Sequence, residues 1–482
     1  MATSNTRTSA TRRAVQFALA NRLASERERW IERNAFFHSQ DEEYLRFLVP
    51  EGQRVLELGC ETGRMLAALK PAYGVGVDWS APMIDIARQR HPAQEFICGD
   101  IEDPDVISAL NGPFDAIILT HSIGLLMDCQ ALFEKLHPLC TPATRIVVAY
   151  YSKLWEPVLF LAERLGLKMP SAQQNWLSTD DIANLLALSE FDVIKREWRQ
   201  LLPRRFFGLG ELVNRYIAPW PVIRRACLRN YVVARPLGLP ERANWPATVV
   251  VPCRNERGNI AAAVARIPNF CDELEILFIE GHSEDGTLEE IHRVIGANPE
   301  RNIKVLVQDG KGKGDAVRKG FAHAQGQVLM ILDADLTTPP EWLPKFYRAL
   351  TSGQGEFING TRLVYPMDVD AMRMLNYFAN RIFSWLFTWL LNQRFTDTLC
   401  GTKVLTRDHY QQIAANRAYF GEFDPFGDFD LIFGAAKLNL KVVEIPVSYA
   451  SRAYGETQIS RFRHGWLLLK MVVFAFRKMK AF

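Results

Sequence analysis

A chain of 482 residues with 48% hydrophobic and 23% charged side chains has an ordinary globular composition. It is too long for one core, so two domains are expected. A net charge of +3 makes no case for a nucleic-acid partner at this size. The eight cysteines are scattered, without C-x-x-C pairs or zinc spacing, the pattern of reduced thiols in a cytoplasmic protein. Residues 1–24 carry Arg7, Arg12 and Arg13 but no apolar signal core, and read as a disordered tail. No stretch offers 18 uncharged apolar residues, so no clear transmembrane helix is expected.

A first domain is expected over residues 25–236. Residues 25–48 pattern as a helix, charged on one side and aromatic on the other, and Pro50-Glu51-Gly52 breaks it. Strand Val55–Leu58 then runs into the tight turn Gly59-Cys60-Glu61-Thr62-Gly63 and a helix. Further strands end at Asp78 and Asp100, and two more cover residues 114–120 and 145–150, with helical patterns between. That alternation predicts a doubly wound α/β sheet. Glycines at a strand end admit a ligand to the backbone, and Asp78, 15 residues after Gly63, can accept ribose hydroxyls. This pattern alone fits a dinucleotide or another adenosine ligand.

The ordered segments VLELGCETGRML, VGVDWSAPMIDIAR, FICGDIED and FDAIILTHSIGLLMD resemble the successive motifs of class I S-adenosylmethionine-dependent methyltransferases, over roughly residues 30–150. The resemblance implies a Rossmann-like fold with S-adenosylmethionine as cofactor. It implies that Glu57, Gly59 and Gly63 frame the methionine part, that Asp78 holds the ribose, and that Asp100 and Ile101 meet the adenine edge. Glu61 departs from the family, where glycine is usual, and sets a carboxylate against the cofactor's own. Residues 151–235 fall where that family builds its last strands and acceptor lid. No His, Lys or Tyr stands out there as a base; His121, Tyr150, Tyr151 and Trp176 are candidates only, and packing explains each of them better.

The Pro- and Gly-containing stretch 237–246 is expected to be a linker. A second α/β pattern follows over residues 247–482. Strand Thr248–Val251 ends in Pro252-Cys253-Arg254-Asn255-Glu256, and strand Leu274–Ile279 ends at Glu280-Gly281. Strand Ile303–Val307 leads to a glycine-lysine loop, residues 308–315, suited to a phosphate neighbour but without the spacing of an ATPase P-loop. The apolar run Val328–Leu332 then stops at Asp333-Ala334-Asp335. Two carboxylates across one small residue at a sheet's carboxyl edge suit Mg²⁺ or Mn²⁺ completed by a diphosphate. By itself the triplet reads equally well as a solvated strand end.

In order, VVVPCRNE, FIEGHSEDGT, GKGKGDAVRKGF, LDADLT, INGTRL, TDTLCGTKVL and VVEIPVSYASRAYGET resemble family 2 glycosyltransferases of the GT-A fold, in the branch acting on polyprenyl (dolichyl) phosphates. The resemblance implies inverting transfer from a nucleotide-sugar. Pro252, Arg254, Glu256, Glu280 and Lys313 would meet the donor, Asp333 and Asp335 the metal, and Arg362 and Arg452 the phosphates. Asp335, Asp428, Asp430 and Arg452 form the expected catalytic set, with Asp428 or Asp430 as the base an alcohol acceptor needs. A polyprenyl phosphate, already ionised, needs none; a glycan hydroxyl is the other acceptor. Glu280-Gly281 replaces the usual paired acids, and Gln458 replaces a lysine, leaving Arg461 or Arg463 as substitutes.

The apolar stretch 374–391 and the basic aromatic stretch 465–482 either lie in a membrane interface or pack within the protein. The first of these alternatives would place a cytoplasmic enzyme peripherally at the inner face of the cell membrane.

Overall fold

The computed structural model describes residues 2–237, 244–364, 374–420, 429–449, 454 and 461–481. The chain divides into two compact units, Met1–Gly238 and Leu239–Lys480. The division falls inside the expected linker, of which residues 238–243 lie outside the described residues.

The first unit is built on strands β1 (Arg54–Leu58), β2 (Tyr73–Asp78), β3 (Glu95–Cys98), β4 (Phe114–Leu119), β5 (Cys140–Tyr151), β6 (Phe191–Arg199) and β7 (Arg229–Pro236). Their order is β3-β2-β1-β4-β5-β7-β6. The first five are mutually parallel, and β7 runs antiparallel to both β5 and β6. Direction of winding reverses between β1 and β4, which opens a crevice at their carboxyl ends.

One expectation fails at the start. Residues read as a disordered tail form helix α1 (Ala2–Leu23), followed by α2 (Arg27–Arg33) and α3 (Ala35–Leu48). Polar anchors, which carry no hydrophobic period, hold α1 in place. Arg12 donates to Asn175 Oδ1 at 3.0 Å, Arg13 pairs with Asp100 and Glu102, and the Ser80 hydroxyl bonds Asn21 Oδ1 at 2.7 Å.

Strand β7 is buried at every position, and its first residue is an arginine. Arg229 grips Asp41 of α3 with Nε at 3.1 Å and Nη2 at 2.7 Å, both side chains wholly buried. Tyr231 also donates to Asp41, and Arg229 Nη2 reaches the Thr120 carbonyl at 3.0 Å. Burial opposes the guanidinium charge, but Asp41 outweighs it and raises the Arg229 pKa.

The second unit uses β8 (Ala247–Cys253), β9 (Leu274–Glu280), β10 (Asn302–Val307), β11 (Val328–Ile331), β12 (Phe357–Thr361), β13 (Lys403–Thr406) and β14 (Val442–Pro446), in the order β10-β9-β8-β11-β13-β12-β14. β8 to β11 are parallel, whereas β13 is antiparallel to both neighbours. The apolar run of β11 is fully buried at the centre, as an interior strand requires.

Helices Met374–Leu391 and Arg461–Met479 follow in part the packing alternative. Trp389 meets Phe476 at 5.7 Å between ring centroids, Phe387 stacks on Phe433, and the buried Lys480 amine donates to Asn392 Oδ1. Ile382, Trp385, Trp466, Leu469 and Val473 stay exposed. Among the described residues no helix is long and apolar enough to cross a membrane.

Asp41→Asn leaves Arg229 charged and unpaired in the core. It should cost about 3–5 kcal/mol in urea unfolding, and Asp41→Leu combined with Arg229→Met should recover much of that loss.

Candidate active sites

In the first unit the crevice is shaped by backbone. Gly59 follows β1 at φ 82°, with its N–H on the Val77 carbonyl at 2.8 Å. A Cβ there would lie 2.5 Å from Ser122 Cβ, so only glycine lets the two loops meet. Gly63, at φ 74°, instead makes room for the Phe96 ring and serves helix packing. Glu57 does not face the crevice. Its carboxylate is 1% exposed and accepts from Leu66 N–H at 3.0 Å and the Thr120 hydroxyl at 3.0 Å. Burial lifts its pKa to about 8. Glu57 braces the loop that follows β1 through these two bonds.

Gly59, Asp78, Asp100 and Ile101 do converge. With Glu61, Trp79, His121 and Ser122 they line a cavity of about 60 Å³. A larger one of about 380 Å³ shares Glu61, Asp78, Trp79 and His121 and continues among apolar residues of α1, α2 and α3. Asp78 accepts Glu61 N–H at 3.0 Å and Ser80 N–H at 2.9 Å, and burial raises its carboxyl to about 6 despite those bonds. Asp100 accepts Glu102 N–H and pairs with Arg13.

Glu61 is not a bare charge. Arg27 of α2 donates Nε to its Oε2 at 2.7 Å, neutralising the carboxylate that departs from the family pattern. A glycine cradle with ribose acceptors and a neutralised Glu61 fits S-adenosylmethionine.

Of the four candidates His121, Tyr150, Tyr151 and Trp176, His121 and Tyr151 line the larger cavity. Burial and the nearby Arg229 and Arg27 hold His121 neutral. The Tyr150 hydroxyl is committed to the Asn175 carbonyl at 2.6 Å, and Trp176 packs beside Leu159 and Leu228.

In the second unit the loops after β8 and β9 are stitched together. Gly281 N–H bonds the Cys253 carbonyl at 2.9 Å, Asn255 N–H bonds Ser283 Oγ at 2.9 Å, and Glu256 N–H bonds Thr287 Oγ1 at 3.0 Å. Pro252, Arg254 and Glu256 are thereby held beside Glu280, with Arg254 exposed. Both Glu280 oxygens are occupied by backbone, accepting His282 N–H at 3.1 Å and Ser283 N–H at 2.6 Å. The residue shapes its loop.

Asp333 and Asp335 end β11 as expected. Lys313, from the glycine-lysine loop, reaches Asp333 at 2.7 Å. Burial pushes the Asp333 carboxyl up, but Lys313, Lys403 and Arg362 outweigh it and keep the pKa low. Thr337 donates both N–H and hydroxyl to Asp335 Oδ1, at 3.1 and 2.9 Å. A Cβ at Gly401 would overlap the Asp333 carboxylate, so any larger residue there would force that carboxylate to shift. Among the described residues no three acids, histidines or cysteines converge as a metal cage. Two hard carboxylates in an open cradle still fit Mg²⁺ or Mn²⁺ if a diphosphate supplies further oxygens.

Two expectations change. Arg362 is clamped on Asp397, Nε to Oδ2 at 2.7 Å and Nη2 to Oδ1 at 2.9 Å, and Asp397 is wholly buried. Burial opposes the Asp397 charge, but Arg362 and Asn380 hold its pKa at about 2. The arginine expected to meet phosphate is thus largely neutralised. Asp430 bonds Arg417 at 2.8 Å, which occupies the carboxylate expected as a base. Asp428, Arg452, Gln458 and the side chains of Arg461 and Arg463 lie outside the described residues.

Four residues of consequence were not singled out from sequence: Arg27, Asp397, Gly401 and Lys403. Lys403 is buried and donates to the Cys400 carbonyl at 2.5 Å. Three of these four sit in the quoted TDTLCGTKVL segment, whose order carried the resemblance without telling its members apart.

The family description "Glycosyl transferase family 2" matches residues 248–420, and "Methyltransferase domain" matches residues 25–196. "Glycosyltransferase AglJ" of Haloferax volcanii is 30% identical over 224 residues, covering 46% of this chain and 68% of that protein. "Dolichol-phosphate mannosyltransferase" of Saccharomyces cerevisiae is 33% identical over 129 residues, 26% of this chain and 47% of that protein. A SAM-dependent methyltransferase structure from Thermotoga maritima is 18% identical with a TM-score of 0.36, covering 46% of this chain and 99% of that one.

Gly401→Ala should lower the affinity for Mn²⁺ with a nucleoside diphosphate by about tenfold or more in calorimetry, since the methyl displaces the Asp333 carboxylate. Binding of S-adenosylmethionine should weaken several-fold as pH falls through about 6, because a protonated Asp78 loses acceptor capacity for ribose hydroxyls. Asp78→Asn should bind weakly at all pH values and flatten that profile.

Proposed function

The chain belongs to glycosyl transferase family 2 through its C-terminal half, and on that footing we propose that this half moves a sugar from a nucleotide-diphosphate donor to a polyprenyl phosphate, with inversion. The methyltransferase domain ahead of it would methylate an acceptor of its own reaction, the same product or another, with S-adenosylmethionine. The observation that carries the transfer reading is the end of β11, where Asp333 and Asp335 stand beside Lys313 in a cradle kept open by Gly401.

In this reading Asp333 and Asp335 hold Mg²⁺ or Mn²⁺, which when bound offsets charge on the departing diphosphate. Lys313 shifts from Asp333 toward a donor phosphate and adds a second positive charge. The joined loops Pro252–Glu256 and Glu280–Thr287 form one wall for the nucleotide. A lipid phosphate is ionised near neutral pH and attacks without a base. The Asp430–Arg417 pair speaks against Asp430 as the base a glycan hydroxyl needs, and similarity to a yeast dolichol-phosphate mannosyltransferase supports the lipid acceptor. Exposed Trp385, Trp466 and Val473 support peripheral membrane attachment of this half, at the cytoplasmic face.

In the first half, S-adenosylmethionine supplies an electrophilic methyl group. Asp78 and Asp100 orient it, Arg27 shields it from Glu61, and the neutral His121 stands at the junction of the two cavities.

The test is transfer of labelled sugar from a panel of nucleotide-sugars with Mn²⁺, with and without polyprenyl phosphate. Transfer should require the lipid and should fall at least about 100-fold in Asp333→Ala. Activity that survives both that variant and metal chelation would sink the assignment. Calorimetry with S-adenosylmethionine tests the first half separately; no binding at high micromolar cofactor would leave it a scaffold.

A further inference from the structure

The first unit exposes apolar side chains well away from its buried sheet. We propose that the face formed by residues 153–168 and 204–226 docks on an anionic lipid bilayer. This goes beyond the attachment proposed for the other half and stands on different residues.

Helix Glu156–Arg164 buries only Leu159. Val158, Phe160 and Leu161 on its outer side, with Leu154 and Leu165 flanking it, are each at least 50% exposed. Across from it Phe206, Leu209, Leu212 and Trp220 are more than half exposed, and Val222 is 86% exposed. The two segments form one surface. Trp155 Nε1–H donates to the Ala226 carbonyl at 2.8 Å, and Leu167 lines the same cavity as Pro203 and Phe206. Contiguous apolar exposure of this kind marks an interaction surface rather than scattered surface residues.

Phe207 is the clearest element. Its side chain is fully exposed, and Phe206 and Phe207 hold φ values of 44° and 54° before Gly208 at 95°. A left-handed backbone is unfavourable for a bulky residue, and a bare ring in water is unfavourable again. Entry of the ring into a hydrocarbon layer offsets the second of these costs.

Charge selects the occupant. The two segments carry eight basic and three acidic residues. Of the acids, Glu163 pairs with Lys168 and Glu211 with Arg205 within the face. A two-fold contact with a second copy would set the surplus positive charge against itself, whereas anionic headgroups neutralise it. Aromatic and basic residues interleaved in this way fit the headgroup boundary. If the first unit methylates as proposed, the cavity whose rim these segments share would meet an amphiphilic acceptor without that acceptor leaving the lipid.

The test is co-sedimentation of the full chain with phosphatidylcholine vesicles, with and without phosphatidylglycerol. Binding should require the anionic lipid and weaken with salt. Phe207→Glu and Val222→Glu, both at exposed positions, should each reduce partition by about tenfold with unchanged thermal unfolding. Brominated lipid should quench the fluorescence of Trp220, read as the difference from Trp220→Phe. Trp466→Glu in the second unit serves as comparator. If it alone lowers binding while both first-unit variants match the parent, the proposal is overturned. It is equally overturned if Phe207→Glu converts a dimer to a monomer in sedimentation velocity and leaves vesicle binding intact.

Discussion

Each unit holds its functional edge with a bidentate arginine–aspartate pair, wholly buried in the first unit and with the aspartate wholly buried in the second. Arg229–Asp41 ties α3 to the strand beside β5, and Arg362–Asp397 ties the end of β12 to the loop before β13. Taking two such charges out of water costs several kcal/mol per ion, recovered only with bidentate geometry and further hydrogen bonds. Both pairs meet that condition. Tyr231 supplements the first, and Asn380 donates to Asp397 at 3.0 Å in the second. The pairs add little net stability compared with apolar substitutes, but they tolerate only one arrangement of the elements they join. The carboxylates at the strand ends, which need a defined spacing to bind ligands, depend on that.

The same economy appears at the sites. A carboxylate near a ligand must be charged when the ligand binds and must not repel its neighbours when it does not. Glu61 is matched by Arg27, Asp333 by Lys313 and Asp100 by Arg13, each from a different element. These cations are contributed by a helix or a loop, so they can move without disturbing the sheet. The braces, Glu57 and Glu280, are instead tied to backbone N–H groups and have no such freedom.

Much of this was legible in the sequence where a local rule governs. Strand ends at Asp78, Asp100 and Asp333 follow from apolar runs that stop at an acid, and the alternation of elements gave the two doubly wound sheets. What failed has a common cause. The helix α1 is held by Arg12, Arg13 and Asn21, so its sequence looks like a polar tail. Glu57 and Glu280 stand at motif positions, yet a motif does not say which way a carboxylate turns. Asp397 and Arg362 lie 35 residues apart, and no local pattern announces that pairing.

The reversed direction of β13 has an evolutionary consequence. Parallel strands deliver their last residues to the ligand edge, whereas β13 delivers its first, so Gly401 and Lys403 arrive at Asp333 from the opposite sense of the chain. The intervening excursion from Arg362 to Asp397 is closed at its base by their ion pair. Helix Met374–Leu391 within that excursion takes part in the clamp through Asn380, so change there is tolerated where it spares the residues that hold Asp397. The outward side chains of that helix, such as Ile382 and Trp385, carry no such constraint and are open to selection while the clamp is kept.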